Sequence, residues 1–395
     1  MDLARKNVAV LATCQALLFI NNSILITATA LVGQALAADK ALTTLPVTAY
    51  FLGSALTTLP LSLFMKRYGR RAGFYAGALS AIVGSLLCAA AVYAESFWLF
   101  CFGILVLGGY VAAGQYYRFA AADIAPAEFK SRAISLVLAG GIVGGFFGPE
   151  TAKLTKDLVT GHAFAGAYVS LIGFAVVSML VLRWLDIPRL SAAERKLEGR
   201  SLAEIARQPA FVVALICAMV SYGVMNLLMT ATPLAMAACQ HPFSDAAFVI
   251  QWHIVGMFAP SFFTGSLIQR FGLVPVLLTG IVLNLACVAI ALADVDVVHF
   301  WLALVLLGIG WNFMFIGATT LLTECHAPTE RAKVQGVNDS AIFVTLVASS
   351  LSSGALFTYQ GWHTMNIWAV PLLLLAGTAV VWMARSRRHP PPQPV

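Results

Sequence analysis

Charged residues are scarce in this chain: Asp, Glu, Lys and Arg make up 10% of 395 residues, while 60% are hydrophobic. Soluble domains carry about 25% charged residues, so the deficit excludes an ordinary soluble enzyme or binding module. The seven cysteines (14, 88, 101, 217, 239, 287 and 325) include no CxxC pair, which excludes a disulfide framework and a cysteine zinc site. HExxH and GxSxG are also absent, and no soluble signalling domain is present, so an intramembrane enzyme or a sensor is disfavoured. The first apolar segment, from Val8 to about Ala37, lacks a clear cleavage site and is too long for a signal-peptide core.

What is present is a succession of apolar runs, with a mean hydropathy of +0.86. Each is about 20 residues or more, enough to cross ~30 Å of hydrocarbon. Windows and breakers predict twelve spans, at 8–36, 45–65, 72–94, 97–121, 132–154, 164–184, 209–238, 246–268, 272–293, 298–323, 334–358 and 363–384. The predicted organisation is an N-terminal six-helix bundle (1–184), a polar linker (185–208) and a C-terminal six-helix bundle (209–395) ending in a basic, Pro-rich tail. Ser191 and Ser201 are candidate N-caps for short surface helices in the linker.

The net charge of +7 does not indicate nucleic acid. The basic residues lie in loops of one side, from Arg5 and Lys6 through Lys66, Arg67, Arg70 and Arg71 to Arg331 and Lys333, and in the linker and tail. The other side holds only Lys40, Lys153 and Lys156. By the positive-inside rule both termini are cytoplasmic.

The two halves repeat. SLFMKRYGRR (62–71) follows span two and GSLIQRFG (265–272) follows span eight, so Arg67 and Gly69 recur 203 residues later as Arg270 and Gly272. These loops resemble the Asp-Arg-x-Gly loop motif of the major facilitator superfamily. Asp123, Pro126 and Arg132 resemble its next loop, and Gly144 to Gly148-Pro149 forms a GxxxGP in span five. Lys66 and Gln269 depart from the pattern, standing where the superfamily has an acid. The resemblance implies an all-α integral membrane protein, with two six-helix bundles rocking around a site near the midplane.

Ionisable groups at membrane depth are functional candidates. Arg118 in span four, Glu150 in the outer third of span five and Asp339 early in span eleven are candidates for coupling or gating, although each serves equally as a pinning group. Asn21 and Asn22 in span one, Trp252 in span eight, and Trp311 and Asn312 in span ten are candidate cavity-lining residues.

One hairpin carries a sharper pattern. Met225 and Met229 are four residues apart, as are His253 and Met257, and that spacing puts each pair on one helix face. The mean of 229 and 253 is 241, as is the mean of 225 and 257, and residue 241 lies in the breaker CQHPFSD (239–245). Folded about that turn, Met229 and His253 share one depth and Met225 and Met257 another, about 6 Å deeper. Thioether and imidazole ligands with no nearby carboxylate suit Cu(I).

MxxxM in span seven followed by HxxxM in span eight resembles the CcoA-type copper importers, the CalT family of that superfamily. The resemblance implies copper-binding roles for Met225, Met229, His253 and Met257, with Cys217 and Cys239 as secondary metal or redox candidates. It further implies copper uptake across a bacterial inner membrane for cytochrome oxidase, delivery to a cytoplasmic copper acceptor, a monomer, and copper as substrate with no permanent cofactor. Two alternatives stay open on the same scaffold. One is an importer of riboflavin, as related members look to be, or of another small organic molecule. The other is a proton-coupled efflux antiporter. A flavin would use those Trp and Asn residues and has no need of aligned thioethers; this soft-ligand argument favours copper.

Overall fold

The structure is a computed structural model that describes residues 3–39, 42, 45–159, 164–187 and 199–388. Among these it is helical, with no strand, as apolar chain in lipid must be: every backbone N–H and C=O has to be satisfied within its own segment. Spans one to four are the helices Leu3–Leu36, Leu45–Tyr68, Arg70–Tyr93 and Phe97–Ile124. Span five is broken at Gly140 into Lys130–Ala139 and Gly141–Thr155, and span six is Ala165–Val181. Span seven is Pro209–Ala238, span eight is bent between Phe243–Phe258 and Ser261–Phe271, and spans nine and ten are Leu273–Ala293 and Val297–Glu324. The last helix, Arg331–Arg388, is two spans separated at Gly361, whose φ of 75° and ψ of 176° are not helical. The twelve expected spans are therefore all present, with boundaries moved by a few residues.

Ser201 caps a short helix, Leu202–Ala206, through a reciprocal capping box with Glu204. Ser191 and the tail from 389 onward lie outside the described residues. Packing divides the chain into two compact units. Residues before Gly199 join Thr329–Val347 in one; Gly199–Pro328 and the residues from Ala348 onward form the other. The start of span eleven thus packs with the N-terminal spans, a grouping that the division at 185–208 does not anticipate.

The two units share one construction. Span four is the hub of the first, packed along spans two and three, and span ten is the hub of the second, packed along spans seven, eight and nine. Both crossings of hub and neighbour use glycine. A Cβ on Gly108 would lie 2.6 Å from the Tyr50 carbonyl oxygen, and one on Gly308 would lie 2.6 Å from that of His253. Facing them are Gly53 and Gly256, which are equally hemmed in by backbone. Small residues at such crossings let helix backbones approach closely. The repeated loops agree as well: Gly69 (φ 94°, ψ 159°) and Gly272 (φ 87°, ψ 167°) adopt the same conformation, one essentially restricted to glycine.

Candidate functional site

In the C-terminal unit the polar residues of the span seven–eight hairpin do not meet as an antiparallel pair. Spans seven and eight both pack along span ten and touch each other over only a short stretch. His253 is wholly buried, and its Nδ1 lies 2.8 Å from the carbonyl oxygen of Leu304 in span ten. A carbonyl can only accept, so this contact makes Nδ1 the protonated nitrogen and leaves Nε2 as a buried lone pair with no partner. Met225 and Met257 are buried and Met229 is half-buried. The contact that the structure gives the His253 ring is with Leu304 of span ten, not with a thioether of span seven. The midpoint of the hairpin gives depth, and the Nδ1 contact with Leu304 turns that edge of the His253 ring toward span ten. Cys217 is buried, whereas Cys239 is exposed at the end of span seven. Their 22-residue separation along one helix is about 33 Å, too far for a common site.

Span ten also corrects the reading of Trp311 and Asn312 as cavity-lining residues. Span eight is bent by 40° where Ala259-Pro260 interrupts it, and Asn312 splints this bend. Its Nδ2 donates to the Met257 carbonyl oxygen and to Ser261 Oγ, both at 2.6 Å, while its Oδ1 accepts from Thr264 Oγ1 at 2.7 Å. Every polar end of the amide is thus engaged within the protein. Trp311 is 1% exposed and stacks on Phe315 at 5.1 Å between centroids, with Tyr222 and Phe258 edge-on. It is core. Trp252, 41% exposed, sits on the outer side of span eight between Phe248 and Trp301.

The N-terminal unit contains the counter-case. Spans one, two, four and six enclose a small cleft lined by Asn21, Asn22, Tyr50, Tyr110, Leu107 and Leu171, among others. The Tyr50 hydroxyl donates to Asn22 Oδ1. Asn21, 5% exposed, has no hydrogen-bond partner at either Oδ1 or Nδ2. The hydroxyls of Tyr110, Tyr117 and Ser178 are also buried and complete no hydrogen bond. These groups are neighbours, with the Tyr110 hydroxyl lying among Asn21, Tyr117 and Ser178. A buried polar group left open costs about 1–3 kcal/mol, and these four side chains lie close enough to pair with one another or with a polar guest. Sequence reasoning found Asn21 and Asn22 but missed the tyrosines. The run Tyr110, Tyr116, Tyr117 was the available signal.

At the loop end of the same unit the charges are closed. Arg118 Nη2 donates to Asp339 Oδ1 at 2.6 Å, and the two side chains are 1% and 0% exposed. Gln115 supports the guanidinium, and Asn338 Nδ2 donates to the same carboxylate oxygen at 2.9 Å. Asp123 gathers Arg70 at 2.9 Å and Arg331 at 2.8 Å, and Arg70 also donates to Gln335. The acid that Lys66 and Gln269 replace in the loop motif is thus not the only route to a charge cluster at this end. Glu150, expected in the outer third of span five, is 64% exposed on the surface of its helix in a pair with Lys153 at 2.7 Å.

Comparison with known proteins gives a family and a relative. The model of the Major Facilitator Superfamily matches residues 11–250 and 214–395. The riboflavin transporter RfnT of Brucella anthropi is 43% identical over 374 residues, 94% of each chain. The uncharacterized MFS-type transporter YddS of Bacillus subtilis is 28% identical over 91% of this chain and 86% of its own. Among solved structures, the transporter FucP in its outward conformation has a TM-score of 0.76 at 15% identity, covering 96% of this chain and 98% of its own. The human organic anion transporter MFSD10 has a TM-score of 0.78 at 13% identity, covering 95% and 99%. The two structures bear on the fold alone.

Proposed function

The chain belongs to the Major Facilitator Superfamily, and from that premise we propose that this multi-pass transporter carries riboflavin or a closely related flavin across the membrane. The observation that carries the proposal is the 43% identity to a riboflavin transporter along 94% of both chains. The small cleft of the N-terminal unit supports it, because its amide and phenol groups among apolar side chains suit the hydrogen-bonding edge of a flavin ring. The proposed mechanism is alternating access by the two units, with both termini cytoplasmic by the distribution of Lys and Arg. The proposed setting is a bacterial inner membrane, and the proposed working form is a monomer with no resident cofactor.

The test is riboflavin accumulation in riboflavin-requiring bacterial cells expressing the chain. The expected result is growth and uptake at riboflavin concentrations where cells with empty vector do neither. No uptake above the vector would end the flavin reading.

Copper import is the second reading, and one feature favours it: the bare, buried Nε2 of His253, with Nδ1 held by Leu304 as in many metal-ligating histidines. The short contact between spans seven and eight counts against it, as does the lack of a copper-carrying protein among the relatives described above. Radioactive copper uptake by wild type and His253→Ala separates the two readings. Under the flavin reading neither protein accumulates copper.

A further inference from the structure

Resting on the flavin reading, we propose that Asn21 is the residue that recognises the substrate's ring, by pairing its amide with an imide edge, and that Tyr110 completes the pairing. The Asn21 amide offers a donor and an acceptor side by side on a planar group, and it is buried with neither end in a well-formed hydrogen bond and the Tyr110 hydroxyl beside it. The residue lies on the wall of a cleft. Beside it the Tyr110 hydroxyl is also buried and open, backed by Tyr117 and Ser178, whose hydroxyls are in the same state.

An imide edge presents carbonyl, N–H and carbonyl in a row. An amide matches two adjacent members of that row: Oδ1 accepts from the ring N–H, and Nδ2 donates to one carbonyl. Bidentate amide pairing of this kind is how Asn reads a base edge in nucleic acids. The second carbonyl then takes the Tyr110 hydroxyl as its donor. The pyrimidine ring of a flavin carries such an edge, whereas its ribityl chain and dimethylbenzene ring do not. The neighbouring Asn22 is not available for this role in the same way, because Tyr50 already donates to its Oδ1. The apolar residues Leu107 and Leu171 on the same cleft supply flat packing without competing hydrogen bonds.

The contrast with Asn312 supports the assignment. That amide is buried to the same degree and uses both ends on the protein's own Met257, Ser261 and Thr264. Asn312 is thus fully paired within the protein, and Asn21 is not.

The test uses two competitors of labelled riboflavin uptake in cells: lumiflavin, which has the imide edge but no ribityl chain, and its N3-methyl derivative, which lacks the imide N–H. Wild type should be inhibited by N3-methyl-lumiflavin at least ~10-fold more weakly than by lumiflavin, since a site built to hydrogen-bond a group discriminates strongly against its absence. In Asn21→Ala that ratio should fall to about 2-fold, with the KM for riboflavin raised about 10-fold and the amount of protein in the membrane unchanged. Tyr110→Phe should raise KM about 3-fold while keeping part of the discrimination.

If Asn21→Ala does not reach the membrane, the wild-type competitor ratio and Tyr110→Phe decide the matter. Equal inhibition by the two competitors in wild type, or an unchanged ratio in Asn21→Ala, overturns the proposal and leaves the cluster as a site for water, with riboflavin transport intact. Absence of any riboflavin uptake by wild type is a different result, and it removes the flavin reading itself.

Discussion

Asn312 in the C-terminal unit and Asn21 in the N-terminal unit are the same side chain, both buried in apolar helices, with opposite surroundings. Asn312 makes three hydrogen bonds and closes a bend. Asn21 makes none and faces a cleft. The comparison separates polar groups that hold the protein together from those held open for something else, and burial alone does not make that separation. The Arg118–Asp339 pair belongs with Asn312 among the closed groups, apart from one carboxylate oxygen, Oδ2, that has no partner.

The strongest way to break the comparison is to open a closed charge. Asp339→Ala leaves Arg118 buried without its carboxylate, and loss of one partner from such a pair costs about 3–5 kcal/mol. The expected outcome is little folded protein in detergent, seen as a collapsed size-exclusion peak. Arg118→Met combined with Asp339→Leu should recover most of that peak, because neither charge then remains. Full stability of Asp339→Ala would show that the pair is not structural.

Asn312→Ala should come next, destabilising by about 2 kcal/mol through loss of its three hydrogen bonds to the Met257 carbonyl, Ser261 and Thr264. Thermal unfolding followed by tryptophan fluorescence would report this as a lower midpoint, while the KM for riboflavin in the folded fraction stays near wild type. Asn21→Ala should show the reverse pattern, with an unchanged or slightly raised midpoint and an impaired KM. Removing an unpaired buried amide relieves a desolvation cost rather than breaking a bond. If both variants lose stability alike, the distinction between open and closed amides fails.

Glu150→Gln should have the smallest effect. Its pair with Lys153 lies on the surface of the helix bundle, and exposed pairs contribute little. Uptake and its dependence on external pH should match wild type. A marked loss of pH dependence would return Glu150 to the coupling residues.

The fold was largely legible because its signals are local. Apolar run lengths give the spans, and breakers such as CQHPFSD give their ends. The Arg67/Gly69 and Arg270/Gly272 repeat gives the two halves, down to a shared glycine conformation at positions 69 and 272. The candidate site was legible only in part. Position along a helix fixes depth, so the alignment of Met229 with His253 is sound arithmetic; rotation about the axis depends on contact with span ten, about 50 residues further on. Likewise nothing near Asn312 in sequence announces that Thr264, 48 residues away, will occupy it, and nothing near Asn21 announces that Tyr110 will leave it free. Arg118 and Asp339 were each visible as ionisable groups, but 221 residues separate them, and only packing makes them a pair.

The glycine crossings have a consequence for how the chain is made. Each unit carries its own tight contact, Gly53 with Gly108 in one and Gly256 with Gly308 in the other. The first crossing therefore closes from residues already synthesised while the ribosome is still translating the linker, as expected of domains that fold in order of synthesis. A bulky side chain at Gly53 would arrest assembly early, before the second half exists. The same change at Gly256 would leave the first crossing made and block the second, after most of the first unit is in the membrane.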